Sequence, residues 1–159
     1  MKPFASVVRL ICVSVLFGCS AEPVDRVAQA PLDPLEHECL ALAIYWEAKA
    51  EPQEGLEAVG HVVMNRLRDA RFPSTICAVT KEGGERPGCQ FSWYCDGRSD
   101  VPAEAANWDR AQLTANALMR GELQDNTGGA LFFHATRLAS PWRVPREQTA
   151  EVGGHVFYR

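Results

Sequence analysis

Residues Leu40–Leu67 read LALAIYWEAKAEPQEGLEAVGHVVMNRL, and the reading of the whole chain turns on them. An apolar run ends in two glutamates, Glu47 and Glu51, followed by Pro52 and a short polar turn. A second, strongly apolar run with helical spacing follows. On a continuous helix Glu47 and Glu51 would share a face. Pro52 pushes the residue before it away from helical dihedrals, so Glu51 is expected at or past the helix end and Glu47 one turn inside it. A carboxylate there, flanked by Tyr45 and Trp46, meets the negative end of the helix dipole and partial burial. Both favour its protonated form, as a general acid at neutral pH requires.

The flanking sequence supplies more elements. The first helix is predicted over 35–50. The second, over 55–68, has a core stripe of Leu56, Val59, Val63 and Leu67, widened by Val62 and Met64, and reads as the central helix. Arg66 and Arg68 suit its last turn electrostatically. Ser74 or Thr75 can cap a short helix through Ile76 and Val79. The segment 81–88 is a loop by composition. Residues 89–97, CQFSWYCDG, alternate polar and aromatic side chains and read as a short strand or extended loop wall. A third long helix is predicted over 103–120, with Trp108, Leu113, Ala117 and Met119 or Leu118 toward the core and Gly121 at its C-terminal cap. A buried strand over 130–135 and a closing strand over 153–158 complete a helix-dominated α+β domain.

At 159 residues the chain has room for one sizeable core. The net charge of −4 gives no reason to expect nucleic acid as a partner. Lys2 and Arg9 precede a short apolar run, Leu10–Phe17, and Gly18-Cys19 follows. Residues 1–18 are thus read as a signal peptide, too short in its apolar part to span a bilayer. Leu16-Phe17-Gly18-Cys19 resembles the lipobox of bacterial lipoproteins, which makes Cys19 the lipidated first residue of the exported chain and gives it a membrane anchor. Ser20 resembles the outer-membrane sorting pattern. Residues 19–35 are the lipidated terminus and a flexible tether, and 36–159 the catalytic domain. Within that domain stand Cys39, Cys77, Cys89 and Cys95. In an exported chain these read as disulfides, with three possible pairings. Zinc is the weaker reading, since no pair has C-x-x-C spacing.

Several blocks, taken in order, resemble one family. Tyr45-Trp46-Glu47-Ala48-Lys49-Ala50-Glu51-Pro52 comes first, then Gly55, Ala58-Val59, Val62–Arg66 and Phe72-Pro73. Cys89–Trp93 with Asp96-Gly97, Gly129–Ala135, Pro141-Trp142 and Gly154–Tyr158 continue it. Together they resemble the cell-wall hydrolases typified by spore cortex-lytic enzymes (SleB type), over essentially all of the chain from Cys39. The resemblance implies a fold similar to goose-type lysozymes and lytic transglycosylases, and peptidoglycan as substrate. It also implies a catalytic acid at the first glutamate of an E-A-R-G-E block, here Glu47. The block departs from that pattern at Lys49, which keeps the charge but not the planar fork of arginine, and at Ala50. Such an enzyme protonates the glycosidic oxygen between N-acetylmuramic acid and N-acetylglucosamine, and the same carboxylate then deprotonates the sugar's own 6-hydroxyl. No second carboxylate is required. Because the resemblance sets their blocks around the cleft, Gln90, Ser92 and His134 are expected to bind N-acetyl and hydroxyl groups. Phe91, Trp93 and Trp142 are candidates for faces against sugar rings. Asp96 is the candidate second carboxylate, although Asp-Gly is also an ordinary turn pair.

Two other functions compete. One is an amidase cutting the lactyl–alanine bond with zinc, for which His37, His61, His134 and His155 show no compact ligand motif. The other is a lipid-anchored module that binds glycan without cleaving it. The expectation is a monomeric enzyme with no metal and no cofactor, exported to the periplasmic face of a bacterial membrane, the outer membrane being favoured.

Overall fold

The computed structural model describes residues 30–159. Residues 1–18, read above as a signal peptide, Cys19 and most of the segment read as a tether lie outside them. Asp33 starts α1 (Pro34–Ala48): its Oδ1 accepts from the amides of Leu35 and Glu36, at 2.9 and 3.4 Å. Pro34 sits in the first turn, where a missing N–H costs nothing. The helix therefore begins inside the segment assigned above to the tether. Leu40, Ala41, Ala43, Ile44, Tyr45 and Ala48 are completely buried, so α1 is apolar on most sides and is enclosed by its neighbours.

The polar turn leads into α2 (Gln53–Arg68), which buries Leu56, Val59, Val62 and Val63. It touches α1, α3, α4 and the sheet, the central position its sequence implied. Gly60 permits the close approach: a Cβ there would stand 3.1 Å from Ile44 Cδ1 and collide with Leu118. Thr75 caps α3 (Ile76–Thr80), accepting from the Ala78 amide at 3.1 Å. Glu36 of α1 accepts from the Ile76 amide, and a Cys39–Cys77 disulfide joins the same two helices.

Residues 89–97 are not a strand. Cys89 is bonded to Cys95, and within that short bridge Ser92–Cys95 wind into a 3-10 turn. Phe91 and Trp93, expected as faces for sugar rings, are buried at 2% and 7% exposure. The disulfide span is too short for an extended chain.

In α4 (Ala105–Met119) the buried face is Ala111, Thr114, Ala115 and Leu118, while Leu113 is 72% exposed. Leu113 was expected in the core. The stripe that continues from Trp108 steps through 111, 115 and 118, and a position five residues from Trp108 lies roughly 140° around the helix. Gly121, at φ 69°, ends the helix as expected.

Three antiparallel strands follow in spatial order β1-β3-β2: β1 (Phe132–Ala135), β2 (Gln148–Val152) and β3 (His155–Tyr158). β2 was not anticipated. It is an edge strand, irregular between Gln148 and Ala150, with little apolar alternation to reveal it. Gly153-Gly154 is the two-residue turn between β2 and β3 rather than part of the closing strand, since Val152 pairs with His155. Phe157 and Ala130 pack onto Ala58 and Val62, seating the open sheet on α2. Among the described residues no helix is long and apolar enough to cross a membrane.

Candidate active site

Glu47 is the second-to-last residue of α1 and stands in a cleft of about 720 Å³ between the end of that helix, the disulfide-closed loop and the sheet. Among the described residues it is the sole carboxylate on the cleft wall; the other charged side chains there are Arg66, Arg137 and Arg146. Burial pushes its carboxyl up to about 7, against the opposing pull of the Arg66 guanidinium. Removing a carboxylate from water penalises its charged form, and here that penalty outweighs a nearby cation. The result is a group that holds a proton near neutrality and can release it.

Arg66 stands in the last turn of α2, as read above, but it is buried rather than a surface charge. It is 1% exposed. Its Nε donates to the carbonyl of Leu131 at 2.8 Å, and the rings of Phe72, Phe91 and Phe132 lie 5.2, 5.4 and 5.7 Å from the guanidinium carbon. Its Nη1 has no hydrogen-bond partner. Burial lowers the Arg66 pKa to about 10, opposed by attraction from Glu82 and Glu47, so the cation is retained at physiological pH.

The fold brings most of the expected residues together. Gln90, Phe91 and Ser92 form one wall of the cleft, and His134 and Trp142 stand on its sheet side. His134 Nδ1 must donate to the Ala135 carbonyl at 2.9 Å, so its Nε2 accepts from the Tyr158 hydroxyl at 3.0 Å. The imidazole is thereby fixed in one tautomer, stacked on the Tyr158 ring at 5.4 Å between centroids. Trp93 and Asp96 are not on the cleft wall. Trp93 points into the helical core. Asp96 is exposed in its turn, where it accepts from the Arg98 amide at 2.8 Å. Among the described residues no three His, Cys, Asp or Glu side chains are grouped to hold a metal. Sequence reasoning missed Arg66, Trp46, Phe132, Phe133, Arg137, Arg146 and His155 as cleft residues.

Glu51 has a different task from Glu47. Past the helix end, its Oε2 accepts from the Gly154 amide at 2.7 Å and its Oε1 lies 4.0 Å from His155 Nδ1. A Cβ on Gly154 would be 2.8 Å from Glu51 Oε1, so the glycine is what lets the carboxylate reach the backbone. Glu51 thus ties the hairpin to the end of α1 and fixes the sheet side of the cleft relative to Glu47.

The two disulfides should separate in their effects. Cys39–Cys77 spans 38 positions and Cys89–Cys95 only 6. Loop-closure entropy makes the first worth roughly 4 kcal/mol and the second roughly 2. Yet the short bridge holds the cleft wall of Gln90, Phe91 and Ser92. Replacing Cys39 and Cys77 by serine should lower the urea midpoint more. Replacing Cys89 and Cys95 should raise KM more. Equal KM values in the two double variants would show that the short bridge does not shape the site.

Known proteins resemble this chain in sequence and in fold. The sequence profile of the family described as Cell Wall Hydrolase matches residues 50–158. A spore cortex-lytic enzyme of Oceanobacillus iheyensis is 33% identical over 119 residues, covering 74% of this chain and 39% of that protein. One of Bacillus subtilis is 29% identical, covering 74% and 35%. The chain thus spans between a third and about two-fifths of the curated relatives it matches. The catalytic domain of the germination-specific lytic transglycosylase SleB from Bacillus anthracis superposes with a TM-score of 0.65 at 27% identity, covering 82% of this chain and 98% of that domain. That of Bacillus cereus SleB gives 0.61, also at 27% identity, covering 82% and 94%. The helix-dominated α+β fold with a small open sheet is accordingly lysozyme-like, as the sequence implied. By the extent of these matches, the chain belongs to the Cell Wall Hydrolase family of the spore cortex-lytic enzymes.

Proposed function

We propose that the chain cleaves the glycan strand of peptidoglycan between N-acetylmuramic acid and N-acetylglucosamine, as a lytic transglycosylase with Glu47 as its acid and base. The observation that carries this reading is a lone cleft carboxylate whose pKa is raised to about 7. Glu47 gives its proton to the glycosidic oxygen as the bond from the muramic anomeric carbon breaks. The muramic 6-hydroxyl then bonds to that carbon and returns its proton to Glu47, so no water is consumed and the carboxyl is restored. A single acid/base suffices for both halves, whereas the two-carboxylate glycosidases need a partner. Gln90, Ser92 and His134 offer an amide, a hydroxyl and an oriented imidazole to the sugar, and Trp142 an aromatic face. In this reading the chain is exported and held on the wall side of a membrane by a lipid on Cys19.

Mass spectrometry of soluble products from purified peptidoglycan is the test. Anhydro-muramyl ends are expected. Reducing muramic ends would mean that water takes the place of the 6-hydroxyl, making the enzyme a muramidase with the same acid. Free stem peptides would overturn glycan cleavage in favour of an amidase. Retained binding without any product would leave a glycan-binding module.

A further inference from the structure

We propose that the cleft recognises a carboxylate carried by the glycan, and that Arg137 and Arg146 are the side chains that take it. The inference rests on the peptidoglycan reading and specifies which chemical form of that polymer the site accepts.

The observation behind it is a charge inversion. The whole chain carries −4, yet residues 136–147, TRLASPWRVPRE, hold Arg137, Arg143 and Arg146 against one acid, Glu147. That acid is already taken by Arg159, at 2.9 Å. Among the described residues none of the three loop arginines has a carboxylate within 4.0 Å. Arg137 and Arg146 both line the cleft that contains Glu47. Burial disfavours protonation of His155 on the same wall, Glu51 opposes that, and the positive charge of Arg137 adds to it. Glu82 attracts Arg66, but with Glu47 holding its proton no ionised carboxylate among the described residues of the cleft wall faces Arg137 and Arg146.

A neutral sugar does not call for this. Aromatic faces, amides and hydroxyls suffice for N-acetyl and hydroxyl groups, and the cleft already has them. A guanidinium presents a planar fork matched to a carboxylate. Arg146 is pre-set for that use: its guanidinium carbon lies 3.5 Å from the Phe132 ring centre and 5.1 Å from that of Trp142. Its Nε is buried with no hydrogen-bond partner. Stacking fixes the plane of the fork while leaving N–H edges free to pair. In peptidoglycan the muramic ring carries a lactyl ether. Its carboxyl is either free or amide-linked to a stem peptide that bears carboxylates of its own. Both sources offer the same group close to the scissile bond.

The test measures binding by the full chain in a Glu47→Gln background, at about 50 mM salt so that screening is modest. Three soluble strands are compared: peptide-bearing strands, the same strands with their carboxylates amidated by carbodiimide and ammonia, and strands stripped of peptide so that the lactyl carboxylate is free. Amidation should weaken binding about tenfold, the scale of one charge-assisted pair. Arg137→Gln and Arg146→Gln should each weaken binding to acidic strands roughly five- to tenfold and leave amidated strands unaffected. Arg98→Gln, an exposed arginine off the cleft wall, removes the same charge and should change neither. Tight binding of stripped strands assigns the lactyl carboxylate; a preference confined to peptide-bearing strands assigns the stem. Amidation without effect, or arginine variants that weaken native and amidated strands alike, would overturn the proposal. Turnover by the unmutated chain is scored separately. Failure to cleave any strand counts against the catalytic reading, while the binding comparison still decides this one.

Discussion

Glu47→Gln is expected to lower the rate of glycan cleavage by roughly three orders of magnitude, the usual contribution of a positioned general acid, and to leave the protein more stable at pH 8. The first effect follows because the amide keeps the shape of the side chain and loses the transferable proton. The second follows from linkage. In the unfolded chain the carboxyl titrates near its ordinary value of 4.5, and in the folded chain burial holds the proton up to about 7. Below the lower value both states are neutral and no penalty exists. As pH rises between the two, the unfolded chain ionises while the folded one does not, so stability falls, and above about 7 the loss is complete. A difference of that size corresponds to a few kcal/mol, on the order of 3 at most. Glutamine has no such penalty. Thermal melts of the two proteins should therefore coincide near pH 4 and diverge toward pH 8, with the variant melting higher. Activity of the unmutated enzyme should fall as pH rises through 7, because the first step needs the protonated acid. A variant that loses activity but melts identically at pH 8 would show that Glu47 is not held neutral by burial.

How much of this was legible in the sequence depended on whether the signal was local. Leu56, Val59 and Val63 repeat at helical spacing, and Pro52 marks the break before them, so α1, the turn and α2 could be read directly. Glu47 could be placed at the end of α1 and its partial burial expected from Tyr45 and Trp46, although not the part that the sheet and the disulfide loop play in closing the cleft around it. Arg66 was placed in the last turn, but its burial went unread although a clue was present. It lies seven positions after Val59 and three after Val63, on the buried stripe. Position and residue type disagreed, and residue type prevailed, because arginine in a last turn is usually solvated. Trp93 and Asp96 lie in the same loop as Gln90 and Ser92, but Trp93 falls in the 3-10 turn inside the Cys89–Cys95 bridge and packs into the core, and Asp96 follows it in an exposed turn. The pairing of cysteines could not be derived locally, since it depends on which loops meet in three dimensions. Arg137 and Arg146 were invisible for the same reason. Only the fold of residues 136–147 brings them onto the wall of the cleft that holds Glu47.

Arg66→Met should lower turnover by about ten- to a hundredfold and move the alkaline limb of the kcat/KM profile upward by about one pH unit. In the folded protein Arg66 opposes the rise in the Glu47 pKa. Without that cation, burial acts alone and the carboxyl holds its proton to higher pH. The limb moves up, yet a weaker acid transfers its proton less readily, and the carboxylate formed in the first step loses its counter-charge. Arg66→Lys keeps the charge and should keep the limb near 7, even if the shorter contact to Leu131 costs some rate. Glu82 also attracts Arg66, and Arg146 repels it, so both remain to shape the residual field in either variant. Stability should change little in the methionine variant. Methionine fills the same space among Phe72, Phe91 and Phe132, and removing a desolvated charge offsets the orphaned Leu131 carbonyl, which costs about 1–3 kcal/mol. That separation makes the experiment decisive. A merely structural arginine would, when replaced, lower activity and the urea midpoint together with the limb unmoved. An electrostatic one moves the limb in Arg66→Met, holds it in Arg66→Lys, and leaves the midpoint nearly constant. Methionine and lysine variants with the same limb would remove Arg66 from any part in setting the acidity of Glu47.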